Sequence, residues 1–219
     1  MQKYLLAILS VLLVGCAQTP HEEQHSSVLQ GTTLDSHEPP VQAETHFAAG
    51  QFAESQKNQP AAIAQYNQTL KMNPKHLGAL YRLGVLYAQS REFPKALEIW
   101  TSYVKANEGS ADACANLGFC HELAGHPDQA ETAYKLGLNR DPKSAPCHIN
   151  YGLLLARRQR IAESLVQLQS VLAPAEAHYN IASVYESQGM KEQAKLEYKK
   201  ALDINAHFAD ARDRLASLP

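Results

Sequence analysis

Hydrophobic and polar residues are arranged in three different ways along this chain, and each change marks the start of a new segment. Residues 4–14 form an apolar run interrupted only by Ser10, whereas residues 17–42 show no apolar period. From residue 43 onward, small and large apolar residues recur every 34 positions. Self-similarity at a fixed period of this length is typical of a solenoid, in which one supersecondary unit is stacked on copies of itself.

The periodic segment divides into four units of 34 residues and one of 30: 43–76, 77–110, 111–144, 145–174 and 175–208. The eighth position of each unit is small, with Gly50, Gly84, Gly118, Gly152 and Ala182. The twentieth position is also small, with Ala62, Ala96, Ala130, Ser164 and Ala194. The twenty-fourth position is large, with Tyr66, Trp100, Tyr134, Leu168 and Tyr198. Small residues where two helices cross let the backbones approach, and a large residue fills the wedge beside the crossing.

These positions resemble the tetratricopeptide repeat, a pair of antiparallel helices whose copies stack into a superhelix. The resemblance implies an all-α solenoid of about five helix–turn–helix repeats over residues 43–219, with residues 209–219 as a C-terminal capping helix. Gly125 and Gly189 stand between the two helices of their repeats, where a helix end favours a left-handed residue. Pro74 and Pro142 are expected to stop the second helix.

The fourth unit departs from this pattern. It lacks four residues before Pro174 and carries Ser164 and Leu168 at two of the recurring positions. We therefore expect its second helix to be shorter than the others and the stacking angle to change there.

The N-terminus resembles a bacterial lipoprotein signal. Lys3 precedes the apolar run, which is shorter than the ~20 residues that a membrane-spanning helix needs. The run ends in Leu-Val-Gly-Cys, which resembles the lipobox, where the peptidase cuts before an acylated cysteine. Residues 1–15 are thus expected to be a signal peptide and Cys16 to carry acyl chains such as palmitate. An ordinary signal peptide with an incidental cysteine is the alternative.

Residues 16–42 are expected to form a lipid-bearing cysteine followed by a disordered tether. Between residues 17 and 42 there are four acidic residues and no Lys or Arg, a composition that cannot bury enough apolar surface to fold. Ala17, rather than Asp, follows Cys16. By resemblance to enterobacterial sorting, this favours the periplasmic face of the outer membrane over the inner membrane.

Charge and composition narrow the class of function. The chain has 219 residues with 20 Lys and Arg against 22 Asp and Glu, so it lacks the broad basic surface that nucleic-acid binding requires. Its mean hydropathy of −0.35 excludes a polytopic membrane protein. No P-loop, nucleophile elbow or dinucleotide fingerprint occurs in the sequence. We therefore predict a protein that is not an enzyme and that uses no cofactor and no small-molecule substrate.

Cysteine and histidine residues in the third and fourth units suggest other chemistry, but their spacing does not support it. His121 and His126 are five residues apart, whereas a zinc-binding pair on one helix face needs four. Cys114, Cys120 and Cys147 do not form a CxxC pair. No metal site is predicted, and a Cys/His metal-dependent enzyme remains a remote alternative. Whether Cys147 forms a disulfide with Cys114 or Cys120 is left open.

The concave face of the predicted solenoid carries the candidate binding residues. The sixth position of the successive units reads Ala48, Arg82, Asn116, Asn150 and Asn180. Three asparagines in register resemble the ladder with which some of these solenoids hold an extended peptide, since an amide matches main-chain donors and acceptors. Nearby apolar positions could anchor side chains of the partner: Tyr81, Val85, Phe119, Leu153 and Tyr179. The alternative is that the asparagines only solvate the inner face.

Together these features predict a membrane-anchored scaffold that binds a protein or an extended peptide. Its architecture resembles the tight-adherence (Flp) pilus assembly lipoprotein and the type IV pilus pilotins, so we expect it to assist a pilus or secretion machine. An adaptor for peptidoglycan enzymes or envelope proteases, and a structural lipoprotein without a specific partner, are alternatives.

Overall fold

The structure is a computed structural model that describes residues 42–218, and every regular element in this range is an α-helix. The predicted signal peptide, Cys16 and all but the last residue of the tether lie outside the described residues. None of the helices in residues 42–218 combines the length and hydropathy needed to cross a membrane.

Eleven helices follow one another through the described range. They are α1 (Ala43–Ser55), α2 (Gln59–Met72), α3 (Leu77–Gln89), α4 (Phe93–Ala106), α5 (Ala111–Leu123), α6 (Pro127–Arg140), α7 (Ala145–Arg157), α8 (Ile161–Gln169), α9 (Pro174–Ser187), α10 (Lys191–Ile204) and α11 (Ala209–Ser217). Each odd-numbered helix from α1 to α9 packs most extensively on the helix that follows it. The turns within these pairs are short, so the two helices of a pair run antiparallel. The predicted all-α solenoid of five helix pairs with a terminal cap is confirmed.

The turn between paired helices is a left-handed helix end in every repeat. Gly125 and Gly189 have φ values of +79° and +74°, as the sequence predicts. In the other three repeats the same turn is made by Lys57, Arg91 and Gln159, also at positive φ. After α1 the N–H of Asn58 donates to the carbonyl of Ala53 at 2.9 Å, a six-residue closure that fixes this conformation despite its steric cost.

The predicted close approach of paired helices is present. A Cβ built on Gly118 would lie 2.5 Å from Cε1 of Tyr134, and one on Gly84 would lie 2.6 Å from Cε2 of Trp100. The ring therefore occupies the space where any larger residue would place its side chain. Tyr134 is fully buried in this position.

The fourth repeat contains the shortened helix that the sequence predicts. Its second helix, α8, has 9 residues, whereas α6 has 14. Ser164 replaces the alanine at the crossing and is fully buried. The burial of its hydroxyl is tolerated because the hydroxyl donates to the carbonyl of Gly152 at 2.7 Å. Leu168 fills the aromatic position and is also fully buried. The altered stacking angle stays a prediction.

The C-terminal helix α11 closes the stack on the side of repeat 5. Ala211 is fully buried and belongs to the apolar core of repeats 4 and 5. Leu215 and Leu218 are half-buried against the same core. The remaining residues of α11 are exposed, which gives the end of the solenoid the polar outer face that a terminal repeat needs.

Polar contacts also join the repeats, and Glu131 on α6 is the centre of one such group. Its carboxylate accepts hydrogen bonds from the Tyr151 hydroxyl at 2.9 Å and from Arg160 Nη1 at 2.8 Å, both in repeat 4. Lys135 Nζ lies 2.7 Å away on the same helix. Burial would raise the pKa of Glu131, but the hydrogen bonds from these three donors outweigh it and lower the pKa to about 2. The ionised carboxylate therefore stabilises the junction of repeats 3 and 4.

This arrangement predicts a specific loss of stability in acid. The pKa of Glu131 is lower in the folded protein than its ordinary value of 4.5, so its stabilisation is complete above that pH and is lost as the pH falls towards 2. The difference between the folded and the ordinary pKa of Glu131 corresponds to at most about 3 kcal/mol of folding stability. In Glu131→Gln, the free energy of unfolding in urea should be lower at neutral pH and should fall less between pH 4.5 and 2. The control Glu192→Gln changes a side chain that is 83 % exposed, and its free energy of unfolding should have the same pH dependence as that of the wild type. Equal pH slopes in both variants would contradict the assignment.

Candidate protein-binding groove

The first helices of repeats 3, 4 and 5 stand side by side. Helix α7 packs directly on α5, and α9 packs directly on α7. The predicted groove residues on these helices thus share one stack. The predicted groove residues differ in how available they are to a ligand, because some of them already have partners within the protein.

Arg82 is held by an ion pair. Its Nε donates to Glu54 Oε2 at 2.9 Å, and its Nη2 makes a second hydrogen bond to the other carboxylate oxygen. Glu54 also accepts a hydrogen bond from the Tyr66 hydroxyl at 2.8 Å. Burial and the neighbouring carboxylate raise the pKa of Tyr66 to about 12. Arg82 therefore joins repeat 2 to both helices of repeat 1.

The same grouping, which we call the Tyr–Glu–Arg cluster, recurs in the third and fifth repeats. The Tyr134 hydroxyl donates to Glu122 at 2.6 Å, and Arg157 pairs with the same carboxylate. The Tyr198 hydroxyl donates to Glu186 at 2.8 Å, and Arg214 lies 3.1 Å from Glu186. In each cluster the tyrosine is the twenty-fourth residue of its repeat, the glutamate is the twelfth, and the arginine comes from the next unit.

The second and fourth repeats lack this cluster because their large residue has no hydroxyl. The twenty-fourth position is Trp100 in repeat 2 and Leu168 in repeat 4, and the twelfth position is Ala88 and Ala156. This correlation between the twelfth and the twenty-fourth positions was not predicted from the sequence. The signal was present in the alternation along the chain of Glu54, Ala88, Glu122, Ala156 and Glu186.

The three asparagines differ in how far they are exposed to a partner. Asn116 and Asn180 follow the repeats that lack a cluster, and both are half-buried. Asn180 Nδ2 donates to the Glu176 carbonyl of its own helix at 2.8 Å. Asn150 follows a cluster repeat and is only 7 % exposed. Its Oδ1 is buried without a hydrogen-bond partner among the described residues.

The predicted aromatic anchors take part in packing between helices. The ring of Tyr81 meets Trp100 edge-on at 5.5 Å between centroids, and that of Tyr179 lies 5.5 Å from Tyr198 and 5.1 Å from Phe208. Both tyrosines are half-buried, so only part of each is free to meet a partner. The remaining three apolar positions are also half-buried: Val85, Phe119 and Leu153.

The cysteines of repeats 3 and 4 are interior residues, whereas His121 and His148 are half-buried and His126 is exposed. Cys114, Cys120 and Cys147 are buried as free thiols. The His121 and His126 rings lie 5.9 Å apart, and burial and His126 lower the pKa of His121. Within residues 42–218 no three His, Cys, Asp or Glu side chains are grouped as metal ligands.

The Tyr–Glu–Arg cluster can be tested in repeat 3, where the tyrosine is fully buried. Glu122→Ala removes the acceptor of the Tyr134 hydroxyl and the partner of Arg157, so we expect the free energy of unfolding to fall by about 2 kcal/mol. The control Glu192→Ala, at an exposed site, should change it by less than about 0.5 kcal/mol. In a double-mutant cycle, Tyr134→Phe and Glu122→Ala should be non-additive by roughly 1 kcal/mol. Additive effects would show that the hydroxyl and the carboxylate do not stabilise each other.

Comparison with known sequences agrees with this architecture. Two profiles of the tetratricopeptide repeat match the chain, one over residues 41–111 and the other over residues 111–144 and 175–208, which together are more than half of it. The protein therefore belongs to the tetratricopeptide repeat family. The interval between the matched segments is the shortened fourth repeat. Proteins of this family are protein-interaction scaffolds and are typically not enzymes.

Curated relatives share repeats with this chain but differ in length. The chain is 23 % identical over 156 residues to the general transcriptional corepressor ssn6 of Schizosaccharomyces pombe, which covers 69 % of this chain and 14 % of that protein. It is 27 % identical over 86 residues to the photosystem I assembly protein Ycf3 of Prochlorococcus marinus, which covers 38 % of this chain and 50 % of that one. The chain thus spans half or less of the length of these relatives.

Solved structures share the fold at low identity. MamA superposes with a TM-score of 0.60 at 21 % identity, covering 74 % of this chain and 90 % of that one. YrrB, a TPR protein with an unusual peptide-binding site, has a TM-score of 0.57 at 20 % identity, covering 78 % of this chain and 91 % of that one. PilW, described as a widely conserved type IV pilus biogenesis factor, has a TM-score of 0.58 at 19 % identity, covering 74 % of this chain and 76 % of that one. At these identities the likeness establishes the fold.

Proposed function

We propose that this protein is a lipid-anchored periplasmic scaffold that holds an extended segment of a partner protein and assists the assembly of an envelope machine, a pilus or secretion apparatus. The observation that carries the binding part is the arrangement of Asn116 and Asn180 on one helix stack, without an ion pair that occupies them. The fold likeness to PilW and the sequence likeness to the assembly protein Ycf3 support a role in assembly.

The asparagines suit a main-chain ligand. An amide has one acceptor and two donors, and Asn180 keeps the acceptor and one donor beside its bond to Glu176, so each amide can pair with the N–H and C=O of a peptide whatever the peptide's side chains are. The flanking Tyr–Glu–Arg clusters are internally neutralised, since each carboxylate faces an arginine. A groove with amides and no unpaired arginine at its sixth positions favours an uncharged, extended segment over an acidic chain terminus.

The anchor would place the groove at the membrane. Cys16 is proposed to carry the acyl chains at the periplasmic face of the outer membrane, and residues 17–42 to connect it to α1. Two or more acyl chains bind a bilayer far more firmly than the marginal grip of one. The solenoid would then act close to the membrane within the reach of the tether.

The lipid anchor is tested by Cys16→Ser. Because serine cannot accept the thioether-linked diacylglycerol, we expect an unprocessed, unacylated precursor that incorporates no labelled palmitate. The matched control Cys120→Ser changes a buried thiol of the repeats and should be labelled and processed like the wild type. Equal labelling of Cys16→Ser and wild type would reject the anchor.

The groove is tested by the double variant Asn116→Ala and Asn180→Ala. Since these amides are half-buried on the proposed binding face, the yield of partner cross-linked in cells should fall several-fold, while the melting temperature changes by no more than about 2 °C. The control Gln68→Ala with Asn139→Ala removes two exposed amides from the second helices and should leave the yield unchanged. If both double variants capture the same partners equally well, the asparagines only solvate the face.

A further inference from the structure

Two of the three buried thiols meet at the junction of repeats 3 and 4. Cys114 lies on α5 and Cys147 lies on α7, and both contact the same point on α6, where Gly137 has no side chain. A Cβ built on Gly137 would touch Cys147 Sγ and would lie 3.1 Å from Cys114 Cβ. The two cysteines are therefore immediate neighbours across the repeat boundary, although 32 residues separate them in the sequence.

Both thiols also point towards the same turn. Cys114 Sγ lies 3.6 Å from the carbonyl oxygen of Gly109, and Cys147 Sγ donates to the carbonyl oxygen of Ala111 at 3.2 Å. These two carbonyls belong to one three-residue segment at the start of α5. The two sulfur atoms thus lie beside the same short segment, and a disulfide requires its two partners to be this close in space.

The third thiol is placed elsewhere. Cys120 is packed in the apolar core of repeats 1 and 2, with Trp100 and Leu83 among its members. It shares α5 with Cys114 but lies six residues further along the helix, so the two side chains face different directions. The structure therefore distinguishes between the two pairings of Cys147 that the sequence leaves open.

We propose that Cys114 and Cys147 form a disulfide that joins repeats 3 and 4 when the chain folds in the presence of a disulfide oxidant, either an oxidised dithiol protein or oxidised glutathione. One cysteine thiolate attacks the oxidant and releases its first thiol. The second cysteine thiolate then attacks the mixed disulfide and releases the second thiol. Two electrons and two protons pass from the cysteines to the oxidant, which leaves as two thiols.

The bond must form before the junction closes. Both cysteines have no exposed surface in the folded protein. Burial raises the pKa of both thiols, to about 11 for Cys147, so the folded protein presents little thiolate to an oxidant. Oxidation therefore takes place while the chain is still folding. Once the bond has formed and the junction has closed, the bond is shielded from reductants. This inference depends neither on the lipid anchor nor on binding of a partner.

The test follows refolding of the full chain. The protein is reduced and unfolded, then refolded in a mixture of oxidised and reduced glutathione, alkylated and digested with trypsin. Cys114 and Cys120 share the peptide 106–135, Cys147 lies on 144–157 and Cys16 on 4–57. We expect 106–135 joined to 144–157 in most molecules, at a mass lower by two hydrogen atoms than the separate peptides. Alkylation of all three repeat thiols would overturn the proposal.

Variants assign the bond within the shared peptide. Cys120→Ala should keep the link, and both Cys114→Ala and Cys147→Ala should lose it. A link that persists in Cys114→Ala and disappears in Cys120→Ala would overturn the assignment. Thermal melting is the second measurement: protein that is reduced while unfolded and refolded with reductant should melt several degrees below the oxidised protein for the wild type and Cys120→Ala, and at the same temperature for Cys147→Ala.

Discussion

The packing of a large side chain against the small residue that opposes it is the contact on which the rest of this solenoid depends. In repeat 3 the ring of Tyr134 fills the space beside Gly118 and is fully buried. Its hydroxyl is buried with it and must find an acceptor, because an unpaired polar group in the interior is costly. Glu122 accepts that hydrogen bond, and its charge is met by Arg157 from the next repeat. A packing contact inside one repeat thus leads to an ion pair between two repeats.

The same contact divides the repeats into two kinds. Where the large residue is tyrosine, its hydroxyl is paired with a carboxylate of the same repeat, and that carboxylate is paired with an arginine of the next unit. Where it is Trp100 or Leu168, no hydroxyl needs an acceptor, the twelfth position is alanine, and the asparagine of the next repeat is half-buried, unlike the buried Asn150. Junctions with a neutralised ion pair therefore alternate along the stack with junctions that lack one. The choice of the large core residue is thus linked to which junctions between repeats carry an ion pair.

The junction of repeats 3 and 4 combines a polar network, two neighbouring thiols and a position next to the shortened repeat. It carries the Glu131 network and the neighbouring thiols of Cys114 and Cys147, and it leads into the repeat whose second helix has only 9 residues. A short helix buries less apolar surface than a full one, so less packing energy holds the repeats on either side of it. Polar and covalent links at the preceding junction would compensate for this locally weaker stack.

The 34-residue spacing of Gly118 and its equivalents was enough to predict the helix pairs, the left-handed turn at Gly125 and the shortened α8, because each depends on local chain geometry or on a contact between adjacent helices. The availability of Asn150, the pairing of Arg82 and the meeting of Cys114 with Cys147 could not be predicted in this way. They depend on how one repeat is rotated against the next, which brings together side chains that are 28 to 36 residues apart. The sequence by itself determined the repeated unit, and the tertiary stacking decided which of its polar residues are used within the protein and which are left for a partner.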